Sequence, residues 1–241
     1  MILLLRASLF NILFYGLTAV MCVLCLPGLF LPRRQALVIV RLFVRTVYLL
    51  EKIILGLDYE VRGRENIPST GAFIVAAKHY APYETFKLHL LFDDPAVVLK
   101  QELLRIPLWG RFLAKIDPIA IDRQNPKKAV GQIISGAQRV REQGRPLVIF
   151  PQGTRVRLEE TPQDKPYRSG VARAQKAADL PIVPLALNTG AFWPRRGWIK
   201  KPGRVVFEFL PPIPPGNPPA DVMKRLEECL EAESNRLLKN S

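Results

Sequence analysis

A histidine and a glutamate five residues apart are the first candidates for chemistry in this 241-residue sequence. They lie in the run Lys78-His79-Tyr80-Ala81-Pro82-Tyr83-Glu84, where Pro82 suits the first position of a helix and Glu84 would be the third. From that position a carboxylate can reach back over the helix start, so Glu84 can meet His79. Such a carboxylate fixes the imidazole tautomer and leaves the other ring nitrogen free to take a proton.

This pair forms the base and orienting half of a catalytic triad, but no Ser or Cys nucleophile is apparent. A substrate hydroxyl would therefore have to be the nucleophile. The alternative is that His79 is structural, which is the commoner role of a lone histidine near a carboxylate. The other histidine, His89, falls within the predicted helix and has no carboxylate at a comparable spacing.

Two further segments carry groups that suit an anionic ligand. The run Ile119-Ala120-Ile121-Asp122-Arg123 ends in a guanidinium, which binds phosphate through a forked contact, although a surface ion pair would also explain it. In the run Val148 to Arg155, an apolar strand leads into a turn where Gly153 lets backbone N–H groups approach a ligand. Thr154 and Arg155 add donors, for a phosphate or for an oxyanion developing on a thioester carbonyl.

Strands and helices alternate around these segments. Apolar strands between helices predict an α/β fold with a mostly parallel sheet covered on both faces. The run Leu180 to Leu187 is interpreted as a buried edge strand, and Ser169 as the N-cap of a helix. The predicted strands are 59–62, 72–77, 96–99, 146–150, 182–187 and 205–210, and the predicted helices are 82–91, 127–143, 169–179 and 220–238. No Gly-x-Gly-x-x-Gly or Walker-type loop supports a nucleotide site.

The N-terminus is predicted to meet a membrane. Residues 7–32 contain no charged side chain, and a helix from Ala7 to Leu26 would be about 30 Å long, the thickness of a hydrocarbon core. A cleaved signal peptide is the alternative, but no small-x-small cleavage site follows, and Arg33-Arg34 resembles a stop-transfer signal. A two-helix hairpin that dips into one leaflet would also keep the rest of the chain on one side.

The next segment, Arg34 to Leu57, is apolar with one basic stripe. Arg34, Arg41, Arg45 and Lys52 fall within about 40° of one another on a helix. This predicts an interfacial helix that turns its cations toward lipid phosphates. The alternative is a helix packed on the domain, with the stripe in solvent.

Composition narrows the classes of partner. The net charge of +14 favours anionic partners such as acidic headgroups, acidic carrier proteins or nucleic acid. No nucleic-acid-reading motif accompanies the charge, so nucleic acid is not expected. With 49% hydrophobic and 23% charged residues, the chain is neither disordered nor a many-span transporter. Cys22 and Cys25 lie in an apolar run and are interpreted as small helix residues.

In order and spacing, the four motifs together resemble the glycerolipid acyltransferase family that includes the 1-acyl-glycerol-3-phosphate acyltransferases. That family carries His-x4-Asp, a stretch ending in Asp-Arg, Phe-Pro-Glu-Gly-Thr-Arg and a Val-Pro strand. The resemblance covers roughly residues 60 to 215. Asn188-Thr189-Gly190, the run Phe192 to Arg196 and the proline-rich run Phe209 to Pro215 look like the bacterial branch.

The resemblance implies a role for each matching residue. His79 corresponds to the general base and Glu84 to its orienting carboxylate. The implied binders of lysolipid phosphate and glycerol are Lys100, Arg123, Gln152, Gly153, Thr154 and Arg155. Two positions depart from the pattern, since Glu84 replaces an aspartate and the neutral Gln152 replaces a glutamate, which leaves a catalytically inactive lipid-binding protein as an alternative.

The expected activity is transfer of a fatty acyl group from a thioester to the sn-2 hydroxyl of a lysophospholipid, first of all lysophosphatidic acid. Another lysolipid acceptor, such as a lyso-ornithine lipid, remains open. The resemblance implies no metal, no cofactor and no covalent intermediate, with acyl-coenzyme A or acyl carrier protein as donor. We expect membrane-anchoring helices in residues 1–57 and an acyltransferase domain in residues 58–241, on the cytoplasmic side of a bacterial inner membrane.

Overall fold

The computed structural model describes residues 1–195 and 197–241, and within them a seven-stranded sheet is flanked by helices. The strands β1 to β7 are Leu57–Arg62, Ile74–Ala77, Ala96–Lys100, Ile119–Ile121, Leu147–Ile149, Ile182–Leu187 and Gly203–Phe209. The helices α1 to α8 are Ile2–Leu24, Arg33–Leu50, Pro82–Leu91, Trp109–Lys115, Pro126–Glu142, Gly170–Ala178, Thr189–Phe192 and Pro219–Lys239. The predicted α/β class is confirmed.

The strand order brings the predicted motifs to one edge of the sheet. The order is β1-β7-β6-β2-β5-β3-β4. The five strands from β6 to β4 run parallel to their neighbours, whereas β7 runs antiparallel to β6 and pairs in parallel with β1. Because parallel strands place their carboxyl ends at the same edge, the segments that follow β2, β3, β4, β5 and β6 converge there.

One local prediction is wrong and one is confirmed in position only. The strand β6 is not at an edge but lies between β2 and β7, because an apolar run alone does not reveal which strands pair with it. Ser169 stands at the N-cap of α6 but makes no side-chain capping bond, since its φ of −66° and ψ of −1° are not the extended conformation from which a side chain caps.

The segment after β3 also differs from expectation. A 3-10 turn, Gln101–Arg105, and the short helix α4 follow β3, in a region for which the apolar pattern predicts no helix. The bounds of the six strands and four helices predicted after residue 57 differ from the observed ones by at most two residues, whereas α1 begins at Ile2 and not at the predicted Ala7.

Helix α1 is the one helix among the described residues whose length and composition would let it cross a membrane. It also packs on the domain through Ala7, Phe10 and Asn11, which are buried. The Asn11 side-chain oxygen accepts a hydrogen bond from Lys200 Nζ at 2.8 Å, so one turn of α1 is tied to the loop before β7. Large apolar side chains elsewhere on α1 are exposed.

Helix α2 continues through a π-helical turn, Glu51–Leu55, and stops at Gly56, which has a φ of 67°. The predicted helix to Leu57 is therefore two residues too long, because Leu55 is the last helical residue and Leu57 begins β1. Of the basic stripe, Arg41 pairs with Asp93 at 2.8 Å and Lys52 with Asp58 at 2.9 Å. Both partners belong to the domain, so only part of the stripe is left for lipid phosphates. Exposed apolar residues adjoin it, namely Val38, Leu42, Leu49 and Ile53.

Candidate active site

The predicted histidine–glutamate pair forms at the junction of β2 and α3. His79 Nδ1 lies 2.8 Å from Glu84 Oε1. The same oxygen accepts hydrogen bonds from the backbone N–H groups of Tyr80, at 2.6 Å, and Ala81, at 2.8 Å. Pro82 occupies the first helical turn, where its missing N–H costs nothing, and Glu84 closes back over the helix start as the spacing predicts. The backbone thus holds the carboxylate before any substrate arrives.

The surroundings of His79 fix the ring from the other side. Its ring stacks on Phe150, with centroids 4.0 Å apart and planes inclined by 23°. Its carbonyl accepts a hydrogen bond from the Val156 N–H at 2.8 Å. The His79 side chain is 17% exposed, and no described residue forms a hydrogen bond with Nε2. The ring is therefore held at Nδ1 and open at Nε2.

The turn after β5 presents backbone donors beside this ring. Gly153 has a φ of 67°, and its N–H already donates to the Phe150 carbonyl at 2.9 Å. The N–H groups of Thr154 and Arg155 have no backbone acceptor among the described residues, so they, and not Gly153 itself, are available to an oxyanion. The side chains of Thr154 and Arg155 are half-buried.

Gln152 does not face the site as a free polar group. Its side chain is buried, and Nε2 donates to the Lys165 carbonyl at 3.1 Å. A carboxylate could not make this bond, because it has no hydrogen to donate. The predicted binding role of Gln152 therefore stays untested, while its observed contact is with the chain's own backbone.

Two predicted cations follow the neighbouring strands. Lys100 ends β3, and its Nζ lies 3.2 Å from Glu102 Oε1. Arg123 follows β4 and is exposed. The pKa of Arg123 is lowered mainly because nearby protein atoms displace water from the guanidinium, and next because of the positive charge of Arg168. The negative charge of Glu102 raises this pKa. Arg168 is absent from the sequence-based candidates because it lies fifteen residues beyond Gly153 in the sequence. Its position near the site depends on the fold of the intervening loop.

Several other buried titratable groups have structural contacts. His89 is buried, and burial lowers its pKa to about 4. Lys87 and Glu51 are fully buried and form an ion pair between α3 and the turn after α2. Lys78 pairs with Glu231 of α8, just before His79. Among the described residues, no cluster of three or more His, Cys, Asp or Glu side chains could hold a metal ion.

A cavity of about 120 Å³ opens between α1, α2, α3 and α4. Almost all of its lining is apolar. It reaches Thr85, the residue that follows Glu84 on α3. The lining includes Met21, Cys22, Val40, Phe43, Phe86 and Trp109.

Comparison with known proteins agrees with this architecture. The Acyltransferase family model matches residues 58–188. The chain is 40% identical to a 1-acyl-sn-glycerol-3-phosphate acyltransferase of Pseudomonas aeruginosa over 69% of its own length and 63% of the relative's. It is 30% identical to the protein of the same name from Escherichia coli, over 66% of this chain and 63% of that protein. The chain therefore belongs to the acyltransferase family.

One solved structure has the same fold over almost the whole chain. The crystal structure of the 1-acyl-sn-glycerophosphate (LPA) acyltransferase PlsC from Thermotoga maritima superposes with a TM-score of 0.75, covers 97% of both chains and shares 22% of the sequence. The resemblance stated from the motifs is confirmed. Within the bacterial-branch motif, Arg196 lies outside the described residues.

Proposed function

We propose that this protein transfers a fatty acyl group from a thioester to the sn-2 hydroxyl of 1-acyl-sn-glycerol 3-phosphate, forming phosphatidic acid. The observation that carries the proposal is the His79–Glu84 pair, held at 2.8 Å with Nε2 unoccupied by the described residues. The names of the two bacterial relatives support the choice of acceptor. The matched regions span 63% of each relative.

In the proposed reaction, His79 Nε2 removes the proton of the acceptor hydroxyl while the oxygen attacks the thioester carbonyl carbon. Glu84 stabilises the imidazolium that forms, because its charge lies against Nδ1–H. The carbonyl oxygen becomes an oxyanion beside the N–H groups of Thr154 and Arg155. Collapse of the tetrahedral intermediate breaks the carbon–sulfur bond, and the leaving sulfur takes the proton from Nε2. The products are the ester and a free thiol.

The acceptor phosphate is proposed to bind Lys100, Arg123 and Arg155, which places the hydroxyl near His79. The apolar cavity beside Thr85 is proposed to hold an acyl chain. No group other than the two substrates is required by this chemistry. The donor is acyl-coenzyme A or acyl carrier protein, both anionic, and the net charge of +14 favours either.

The proposed location is the cytoplasmic face of a bacterial inner membrane. Residues 1–57 would anchor the chain through the apolar surface of α1 and the exposed apolar residues of α2, and residues 58–241 would form the catalytic domain. The membrane phospholipid surface is then a partner as well as the source of the acceptor. The exposed Arg34 and Arg45 are suited to its anionic headgroups.

The test is acyl transfer by purified protein from acyl carrier protein or coenzyme A thioesters to lysophosphatidic acid, with His79→Ala beside the wild type. We expect phosphatidic acid from the wild type and a loss of at least about a thousandfold in kcat for the variant, because a triad that loses its base retains only binding and oxyanion stabilisation. Near-normal transfer by His79→Ala would overturn the mechanism. A wild type inactive with lysophosphatidic acid but active with another lysolipid would overturn the acceptor alone.

A further inference from the structure

The loop between Thr154 and Arg168 begins at the candidate site, and two hydrogen bonds hold its end close to its beginning. The Arg168 N–H donates to the Pro151 carbonyl at 2.9 Å. Gln152 Nε2 donates to the Lys165 carbonyl at 3.1 Å. These two hydrogen bonds join the residues just before Gly153 to the residues around Arg168, so the end of the loop has a fixed position.

As a result, the Arg168 side chain lies directly over Gly153. A methyl group built on Gly153 would be 3.3 Å from Arg168 Nε and 3.4 Å from its Cδ. A side chain at this position would press against Arg168, so the glycine lets the arginine approach the backbone this closely. The free N–H groups of Thr154 and Arg155 follow this glycine directly, so Arg168 contacts the turn that carries them.

Arg168 also lies within electrostatic reach of Arg123, whose pKa it lowers. Neither guanidinium forms a salt bridge in the described part of the chain, and the acid that acts on Arg123, Glu102, is paired with Lys100. The three cations and one carboxylate have a net charge of +2. A phosphate monoester carries about −1.5 to −2 at neutral pH, so its charge matches this group.

We propose that Arg168 is a further phosphate-binding residue for the acceptor, placed there by the hydrogen bond of Gln152 to the returning loop. This inference rests on the proposed function and deepens it. It also gives Gln152 a positioning role: the amide donates where the carboxylate of the family pattern could not. The neutral residue is therefore compatible with an active site.

The experiment compares Arg168→Ala with Arg173→Ala, a control that removes an exposed arginine of α6. Binding is measured by calorimetry in the His79→Ala background, with lysophosphatidic acid and with a monoacylglycerol of the same chain. Steady-state kinetics with lysophosphatidic acid follow in the otherwise wild-type protein. Arg168→Lys tests whether the forked guanidinium is needed or the charge suffices.

We expect Arg168→Ala to weaken binding of lysophosphatidic acid and raise its KM by about tenfold, with kcat nearly unchanged. Binding of the monoacylglycerol and the melting temperature should stay the same. The affinity of Arg168→Lys for lysophosphatidic acid should fall between that of Arg168→Ala and that of the protein with Arg168 intact. Arg173→Ala should bind lysophosphatidic acid as well as the protein with Arg173 intact. Gln152→Glu should raise the KM in the same direction, and the effect of Gln152→Glu should vanish in the Arg168→Ala background, because both changes remove one contact.

Equal loss of binding for both lipids, or no loss for lysophosphatidic acid, would overturn the role of Arg168. Additive effects of Gln152→Glu and Arg168→Ala would overturn the positioning role of Gln152. Failure of the proposed function would give a different result, because the wild-type protein would then transfer no acyl group to any lysolipid. The calorimetric comparison measures binding and does not depend on acyl transfer.

Discussion

Replacing Glu84 by Gln is the sharpest test of how the histidine is activated. The change keeps the length of the side chain and an oxygen that can accept from the Tyr80 and Ala81 N–H groups. It removes the negative charge that lies 2.8 Å from His79 Nδ1. The helix start should therefore persist while the support for an imidazolium disappears.

The structure sets the size of the effect. Glu84 is 1% exposed, so water screens its charge little. At a charge separation of about 4 Å and an effective dielectric constant of about 20, the interaction of one carboxylate with the imidazolium is about 4 kcal/mol. Part of this remains with the amide dipole, so we expect kcat to fall by between about a hundredfold and a thousandfold.

The assay is steady-state acyl transfer to lysophosphatidic acid, with thermal melting of the same preparations. Glu142→Gln, which neutralises an exposed carboxylate at the end of α5, is the matched control and should keep wild-type kcat. A Glu84→Gln variant that melts like the wild type and keeps more than about a tenth of kcat would refute the reasoning, because the charge would then contribute under about 1.4 kcal/mol.

Three further predictions concern the groups around the site. Lys87→Met should lower the free energy of unfolding by about 3–5 kcal/mol because it leaves Glu51 buried without its partner, and adding Glu51→Met should restore most of the loss in denaturant melts. Burial holds the pKa of His89 at about 4, below the ordinary 6.5. The unfolded chain therefore binds the extra proton between these values, and the free energy of unfolding should fall by up to about 3 kcal/mol as the pH drops from 6.5 to 4. His89→Leu should flatten that pH dependence, and an unchanged slope would contradict it. Cys22→Phe, which fills part of the apolar cavity, should shift the preferred acyl donor toward shorter chains in a competition assay, and an unchanged preference would place the chain elsewhere.

The local geometry at His79 is the part of the site that could be predicted. A proline at the first helical position and a glutamate at the third specify a helix start whose carboxylate turns back. Every contact in this unit spans at most five residues, so sequence spacing alone constrains it. The positions of most strands and helices could also be predicted, because the apolar pattern of each element is a local signal.

Long-range contacts lay beyond prediction for a physical reason. Nothing in the basic stripe of α2 shows that Arg41 and Lys52 pair with Asp93 and Asp58 of the domain. The ion pair between Glu51 and Lys87 likewise joins residues that no periodicity relates. Such pairs depend on which elements pack together, and a pattern along one element carries no information about its neighbour.

The sequence by itself determined the acyltransferase class, the alternating strands and helices, and the histidine–glutamate pair. The order of four motifs indicates the class, and spacings within a few residues indicate the elements and the pair. Tertiary structure alone decided that β6 is a central strand, that the cavity opens beside Thr85 and that Arg168 returns to Gly153. Each of these depends on the closure of a long loop or the pairing of distant strands. These arrangements are stabilised by contacts between distant residues, and such contacts exist only once the chain has folded.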